Sequence, residues 1–265
     1  MARSALLNVM VLAASKAGRR LNRDFGEVEN LQVSRKGPGD FVSIADTRAE
    51  QTIHDELQKA RPTYGFLMEE SGETKGEDPN CRWIVDPLDG TTNFLHGIPQ
   101  FAISIALERQ NEIVAGVVYN PVTDELFTAE KGVGAFLNDR RLRVAQRVGF
   151  HDCVIATGIP HLGRGDHNAY LRELQKVMHE VSGIRRVGAA ALDLAWVAAG
   201  RFDGYWESGL NAWDIAAGLL IVKEAGGYIT EVDGGTDILA NGSVCAGNEM
   251  VQKNLVHLLQ KAKTD

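Results

Sequence analysis

In the segment WIVDPLDGTTNF, residues 83–94, an apolar run delivers two carboxylates, Asp86 and Asp89, on either side of Pro87 and Leu88. Two such groups at a strand end can each hold a hard cation or share one. Pro87 stiffens the turn between them and removes a backbone donor, which leaves the Leu88 carbonyl as a third oxygen within reach. If Gly90, Thr91 and Thr92 then open a helical turn, their unpaired amides and the positive end of the dipole face an anion. Cation ligands and phosphate-binding amides would be neighbours. Asp89 and Thr91 serve equally well as caps of a β-to-α turn, so this segment by itself leaves both readings open.

Two further acidic sites stand beside apolar pattern: Glu69 and Glu70 in MEESG, and Asp214 in NAWDIAAG. Asp214 opens a helix that is otherwise almost wholly apolar, where an acid is either an N-terminal cap or a ligand projecting from the helix start. A Glu pair in a loop is commonly just solvated. The seven histidines and three cysteines show no ligand pairing such as H-E-x-x-H, so a metal here would be held by oxygen alone. That donor set suits magnesium, which takes about six oxygens at roughly 2.0 to 2.1 Å and keeps several waters.

The elements that must position these groups follow from periodicity. Leu6, Met10, Ala13, Ala17 and Leu21 predict an amphipathic helix over residues 4–24. The stretch VSRKGPGDF after it, which carries Lys36, reads as an irregular basic loop because of its glycines and proline. A second helix is predicted to start near Asp46 or Thr47, since Thr47 and Glu50 have capping-box spacing and Ile53, Leu57 and Ala60 continue the stripe up to Pro62. FAISIALER, EIVAGVVYN and ELFTAE then read as an antiparallel meander across residues 101–144. Beyond residue 150 strands and helices alternate. The order is CVIATG, a helix over 167–181, IRRVG, a helix over 189–199, FDGYWE, the long apolar helix ending at Gly226 and Gly227, then GYITEV, SVCAG and a last helix from Glu249. This is a layered mixture of α/β and α+β.

At 265 residues, 44% of them apolar and 24% charged, the chain reads as an ordinary globular protein, long enough for its core to divide into two packed lobes. The net charge of −7 argues against direct nucleic-acid binding and against anionic lipid, and a small anionic substrate would need a local cation. A carboxylate cluster with a divalent ion reverses the sign of one pocket. Cys81, Cys153 and Cys245 form neither a disulfide framework nor a thiolate zinc pattern, which fits a reducing cytosol. The run LLNVMVLAA has the look of a signal peptide, but its helical period continues past Lys16, Arg19 and Arg20, and no apolar run reaches the eighteen or so residues of a membrane span.

Together these segments resemble the inositol monophosphatase family over nearly the full chain. WIVDPLDGTTNF is similar to its first signature, WDIAAGLLIVKEAGG to its second, and MEES stands at about the expected distance upstream. The resemblance implies a layered αβαβα sandwich of the sugar-phosphatase type, with residues 1–147 as one lobe and 148–265 as the other, in a homodimer. It implies that Glu69, Asp86 and the Leu88 carbonyl hold a first magnesium, and that Asp86, Asp89 and Asp214 hold a second. Backbone amides of Gly90 and Thr91, with Thr92 beside them, would contact phosphate. Glu69 and Thr91, the latter supported by Asp46, would orient a metal-bound water. Lys36 would belong to a loop that closes over the site, and Glu207 in DGYWESG would accept hydrogen bonds from polyol hydroxyls in a pocket also lined by Gly188, Ala189 and Ala190. Met68 departs from the glycine that relatives often carry before the Glu pair. Trp206 is more often core than site at such a position, and Arg185 and Arg186 more often surface or interface charges.

The implied reaction is hydrolysis of a small-molecule phosphate ester, myo-inositol monophosphate, with Mg2+ ions about 3.5 to 4 Å apart stabilising the incoming water and the leaving alkoxide, without a phosphoenzyme. Lithium inhibition is implied with it. Two alternatives stand beside this: the same chemistry on fructose bisphosphate, histidinol phosphate or a 3′-phosphoadenosine nucleotide, and a regulatory protein-binding role.

Overall fold

Helix α1 (Ala5–Phe25) begins where Ser4 Oγ accepts the Leu7 amide at 3.1 Å, and its buried stripe includes Met10, Ala13, Ala17 and Leu21. A computed structural model describes residues 3–27, 33–37, 40–161 and 165–264, with side chains for all of these except 33–42 and 264. The stretch expected to be irregular is instead a hairpin, with β1 (Val33–Gly37) antiparallel to β2 (Asp40–Ser43). Gly37 closes β1 and pairs with Asp40, while Pro38 and Gly39 lie outside the described residues. Lys36 lies in β1, and its side chain falls outside the described residues.

Helix α2 (Ile44–Ala60) starts earlier than the Thr47 and Glu50 spacing suggested. Its N-cap is Ser43 and the partner three residues on is Asp46, so SIAD rather than TRAE forms the capping box. Both segments have suitable spacing; the extended backbone of Ser43 (φ −112°, ψ 167°), set by its place at the end of β2, decides between them.

The larger sheet holds eight strands in the order β10-β9-β8-β7-β6-β5-β3-β4. These are β3 (Tyr64–Met68), β4 (Gly72–Thr74), β5 (Asp78–Asp89), β6 (Ala102–Arg109), β7 (Glu112–Asn120), β8 (Glu125–Glu130), β9 (Gly134–Leu137) and β10 (Arg140–Arg141). The expected meander is β6 to β8, each antiparallel to the next. The second sheet runs β12-β11-β13-β15-β14, made of β11 (Val154–Thr157), β12 (Gly183–Arg185), β13 (Gly204–Ser208), β14 (Tyr228–Thr230) and β15 (Ser243–Gly247). The remaining helices are α3 (Thr91–Leu95), α4 (His167–Met178), α5 (Ala190–Ala198), α6 (Ala212–Glu224), α7 (Ile238–Asn241) and α8 (Glu249–Thr264). Helix α4 stops three residues short of the expected end, at Met178.

Strand alternation sorts these elements into layers. Trp83, Val85, Ile103 and Ile105 of the large sheet pack with α1 and α2, while Ile84, Ala102, Ala106 and Val118 pack with α5 and α6. On the second sheet Ala156, Tyr205, Val244 and Ala246 face that same middle pair, while Ile155, Trp206 and Cys245 face α4 and α8. The result is five layers, αβαβα, in which α5 and α6 are covered on both sides. That is why α6 reads as apolar all round.

Helix α6 sits close against β7 because Gly116 has no side chain. A Cβ there would lie 2.9 Å from the Ala217 carbonyl oxygen and 3.1 Å from Ala217 Cα, both backbone atoms that cannot swing away. Gly116→Ala is therefore expected to destabilise the protein by about 1 to 3 kcal/mol. An unchanged midpoint in denaturant unfolding would show that the interface has slack.

Candidate active site

Strand β5 is irregular where its chemistry lies. Asp86 pairs with Ser104 and Asp89 with Ala102, so three steps along β5 match two along β6. Regular alternation would send residues three apart to opposite faces. The extra residue at Pro87 and Leu88 turns both carboxylates to the face occupied by α5 and α6. Leu88 donates its amide to Asp86 Oδ1 at 2.9 Å, and Ala191, at the start of α5, donates its amide to Asp89 Oδ2 at 2.7 Å.

Both carboxylates are buried, Asp86 at 2% exposure and Asp89 at 9%. Burial pushes Asp86 well above the usual carboxylate range, and Glu69, Asp89 and Asp214 push it further. Asp89 is raised likewise by burial and then by Asp214, with the Ala191 amide pulling the other way. Among the described residues no lysine or arginine is one of the main influences on either group. The four acids come from three places. Glu69 follows β3, where its amide donates to the Val85 carbonyl at 3.2 Å; Asp86 and Asp89 close β5; Asp214 opens α6. Among the described residues no three Asp, Glu, His or Cys side chains already stand arranged as a metal cage. What the structure supplies is a set of carboxylates, two buried and two half-buried, that repel one another, which a hard divalent cation relieves.

Asp214 turns out to be a cap, and this does not separate it from the cluster. Its Oδ2 accepts the Asn211 amide at 2.7 Å, the reciprocal half of a capping box, while its charge raises both Asp86 and Asp89. Ser104, opposite Asp86, donates its hydroxyl to the Trp213 carbonyl at 3.1 Å and so ties the start of α6 to the large sheet.

Asp46 is fully buried at the start of α2. Its Oδ2 accepts the Ser43 amide at 2.9 Å and the Ser43 hydroxyl at 2.6 Å. The Thr91 hydroxyl stands 3.2 Å from Asp46 Oδ1 and 3.1 Å from the Leu88 carbonyl, so its one proton is shared between a carboxylate and a backbone oxygen. Burial raises Asp46 while the Ser43 hydroxyl lowers it. Gly90 turns the chain with a left-handed φ of 92°, and a Cβ there would meet the Gln100 carbonyl oxygen at 3.0 Å and Ala189 Cβ at 3.2 Å. Helix α3 after it is a single turn carrying Thr91 and Thr92, the latter exposed.

Beside the Gly90 turn, Gly188 adopts φ +86° and leads through Ala189, the residue before α5, to Ala190. Glu207, at the end of β13, accepts the Tyr205 hydroxyl at 2.6 Å. With Gly158, Tyr170, Trp206 and Asp214 it lines a cavity of about 210 Å3. Glu207 is also close enough to raise Asp89, which joins this cavity to the acidic cluster.

Three residues support the site: Asn93 and Ser43 were not singled out from the sequence, and Glu50 was given a different part. Asn93 donates to the Gln100 carbonyl at 2.7 Å and the Val187 carbonyl at 2.9 Å, locking the Gly90 turn to the Gly188 stretch. Glu50, read as half of a capping box, instead accepts the Glu70 amide at 2.9 Å and braces the Glu69 loop. For Ser43 the available signal was the S-x-x-D spacing of SIAD, which the sequence reading passed over. For Asn93 only its place inside DPLDGTTNF gave a signal.

A model of the inositol monophosphatase family matches residues 2–264 of this chain. The chain is 69% identical over 261 residues to a protein of Mesorhizobium japonicum named inositol-1-monophosphatase, covering 98% of each. It is 41% identical over 260 residues to the Nus factor SuhB of Escherichia coli, covering 98% of this chain and 97% of that protein. Among solved structures, the extragenic suppressor protein suhB from Bartonella henselae superposes with a TM-score of 0.95 at 64% identity, covering 97% of this chain and 99% of that one.

Proposed function

The chain belongs to the inositol monophosphatase family, and from that premise we propose that it is a magnesium-dependent phosphomonoesterase that hydrolyses myo-inositol monophosphate to inositol and phosphate. The observation that carries the chemistry is the pair of buried carboxylates, Asp86 and Asp89, with Glu69 and Asp214 acting on them and, among the described residues, no cationic side chain among their main influences, placed beside the left-handed turn at Gly90.

Glu69, Asp86 and the Leu88 carbonyl would hold one Mg2+, and Asp86, Asp89 and Asp214 a second. When bound, magnesium supplies the positive charge that draws the phosphate in, polarises its oxygens and makes water a better nucleophile. The rest belongs to the chain. Asp46, fixed by Ser43, holds the Thr91 hydroxyl, and Thr91 with Glu69 orients the attacking water. Amides of Gly90, Thr91 and Thr92 receive the phosphoryl oxygens. Glu207 accepts from hydroxyls of the leaving polyol, against a wall formed by Gly188, Ala189 and Ala190.

Glu207→Gln tests the substrate assignment. Metal and amides act on the phosphoryl group, while Glu207 touches only the alcohol. Losing a charged acceptor for hydroxyls costs roughly 1.5 to 3 kcal/mol, or about ten- to a hundredfold in apparent affinity for inositol monophosphate. A simple aryl phosphate should be nearly unaffected. Equal losses on both would place Glu207 in the general scaffold. Turnover of fructose bisphosphate, histidinol phosphate and a 3′-phosphoadenosine nucleotide, measured in parallel, should fall below that of inositol monophosphate.

The assembly proposed with this activity is a homodimer acting in the cytoplasm. Support for the compartment is that Cys81, Cys153 and Cys245 are all free thiols. No helix among the described residues is long and apolar enough to cross a membrane. A regulatory role has for support the name of relatives at 41% identity, and the acidic cluster favours the enzyme.

A further inference from the structure

Glu207 is held in place from two sides by residues that the catalytic scheme does not use. Tyr205 and Glu207 stand two apart on an extended strand and point to the same face. The Tyr205 hydroxyl donates to Glu207 Oε2 at 2.6 Å, the length of a charge-assisted bond. The Tyr205 ring is fully buried in the core shared with α5 and α6, so it has little freedom to swing its hydroxyl elsewhere. Burial also keeps the phenol well above its usual pKa, and it remains a proton donor.

The second side is an absence of side chain. Strands β11 and β13 run parallel with Ala156 opposite Tyr205 and Thr157 opposite Trp206, so the next residue along β11, Gly158, comes opposite Glu207. A Cβ on Gly158 would lie 1.8 Å from Glu207 Cδ and 1.9 and 2.1 Å from its two carboxylate oxygens. The carboxylate occupies the volume a side chain at 158 would need. The requirement is for space and not for backbone conformation, because Gly158 is not among the glycines with positive φ.

We propose that Tyr205 and Gly158 are positioning residues that set the specificity of the pocket: Tyr205 orients the Glu207 carboxylate by donating to Oε2, and Gly158 leaves the space in which that carboxylate turns toward the bound polyol. This rests on the reading of Glu207 as the polyol acceptor. Neither residue acts on the phosphoryl group, so both control recognition of the alcohol alone.

The test measures kcat and KM on inositol monophosphate and on an aryl phosphate for Tyr205→Phe, Gly158→Ala, Glu207→Gln and the double variant Tyr205→Phe with Glu207→Gln. Tyr205→Phe should raise KM for inositol monophosphate about tenfold, leave kcat within about twofold, and leave the aryl phosphate unchanged. Adding it to Glu207→Gln should cost less than about twofold more, because the two residues act through one contact. Gly158→Ala should show the same selective loss, larger in size, since the carboxylate must leave its seat. Should that variant fail to fold, Tyr205→Phe and the double variant still decide the matter. Equal losses on both substrates for Tyr205→Phe, or full additivity in the double variant, overturn the inference while a selective Glu207→Gln keeps the polyol pocket. An unselective Glu207→Gln overturns the polyol pocket and this inference together.

Discussion

Asp214→Asn should lower turnover of inositol monophosphate by roughly three powers of ten or more, since a metal's charge is worth several kcal/mol in such a reaction and each ~1.4 kcal/mol is tenfold. The protein should stay folded. Asp214 Oδ2 accepts the Asn211 amide at 2.7 Å, and an asparagine side-chain oxygen can accept the same bond, since an acid or an amide can serve at the third position of a capping box. The substitution also removes a charge that raises both Asp86 and Asp89, so the metal-free variant should melt no lower than the metal-free parent. What it cannot replace is a negative oxygen facing a cation. Thermal unfolding, magnesium titration calorimetry and steady-state rates separate these effects. Near-parental turnover in a folded variant would reduce Asp214 to its cap.

Exhaustive chelation should abolish activity, and added magnesium should restore it. Asp86 and Asp89 are buried among other acids and, among the described residues, no lysine or arginine is one of their main influences, so without a cation this cluster repels a phosphate rather than attracting it. Among the described residues no side chain brought to this place is an electrophile able to substitute for the metal. Rates measured with metal content confirmed near zero are the decisive reading, and full activity there would end the mechanism. Lithium should inhibit by occupying the second magnesium position. Activity that persists at high lithium would argue against this branch of the family and leave the phosphatase chemistry standing.

Much of this architecture follows from neighbours along the chain. The stripe Met10, Ala13, Ala17, Leu21, the period-two runs from residue 101 and the all-apolar α6 specify their elements through contacts within a few residues, and those elements arrive in the order of the observed layers. Local signals failed where two fitted equally well. SIAD and TRAE both have cap spacing, and only the pairing of β2 with β1, which holds Ser43 extended, selects the first. Glycine and proline in VSRKGPGDF read as an irregular loop, yet Val33–Gly37 and Asp40–Ser43 pair, because composition says nothing about which backbone lies alongside.

The candidate site divides the same way. That Asp86 and Asp89 suit a hard cation, and that Gly90 is needed for a sharp turn, are properties of residue type and adjacency. That Asp86 and Asp89 share a face is not, because period two places residues three apart on opposite sides until the pairing with Ser104 and Ala102 inserts an extra step. Asn93 reaching Val187 across 94 positions, the Ser104 hydroxyl on Trp213, and Glu207 filling the empty space at Gly158 depend on which strands lie beside which. Helical and strand periods are set by interactions a few residues long, so composition and spacing carry them. The meeting of carboxylates from β5, the loop after β3 and the start of α6 is set by sheet register and by two helix faces buried on both sides, which is a property of the packed whole.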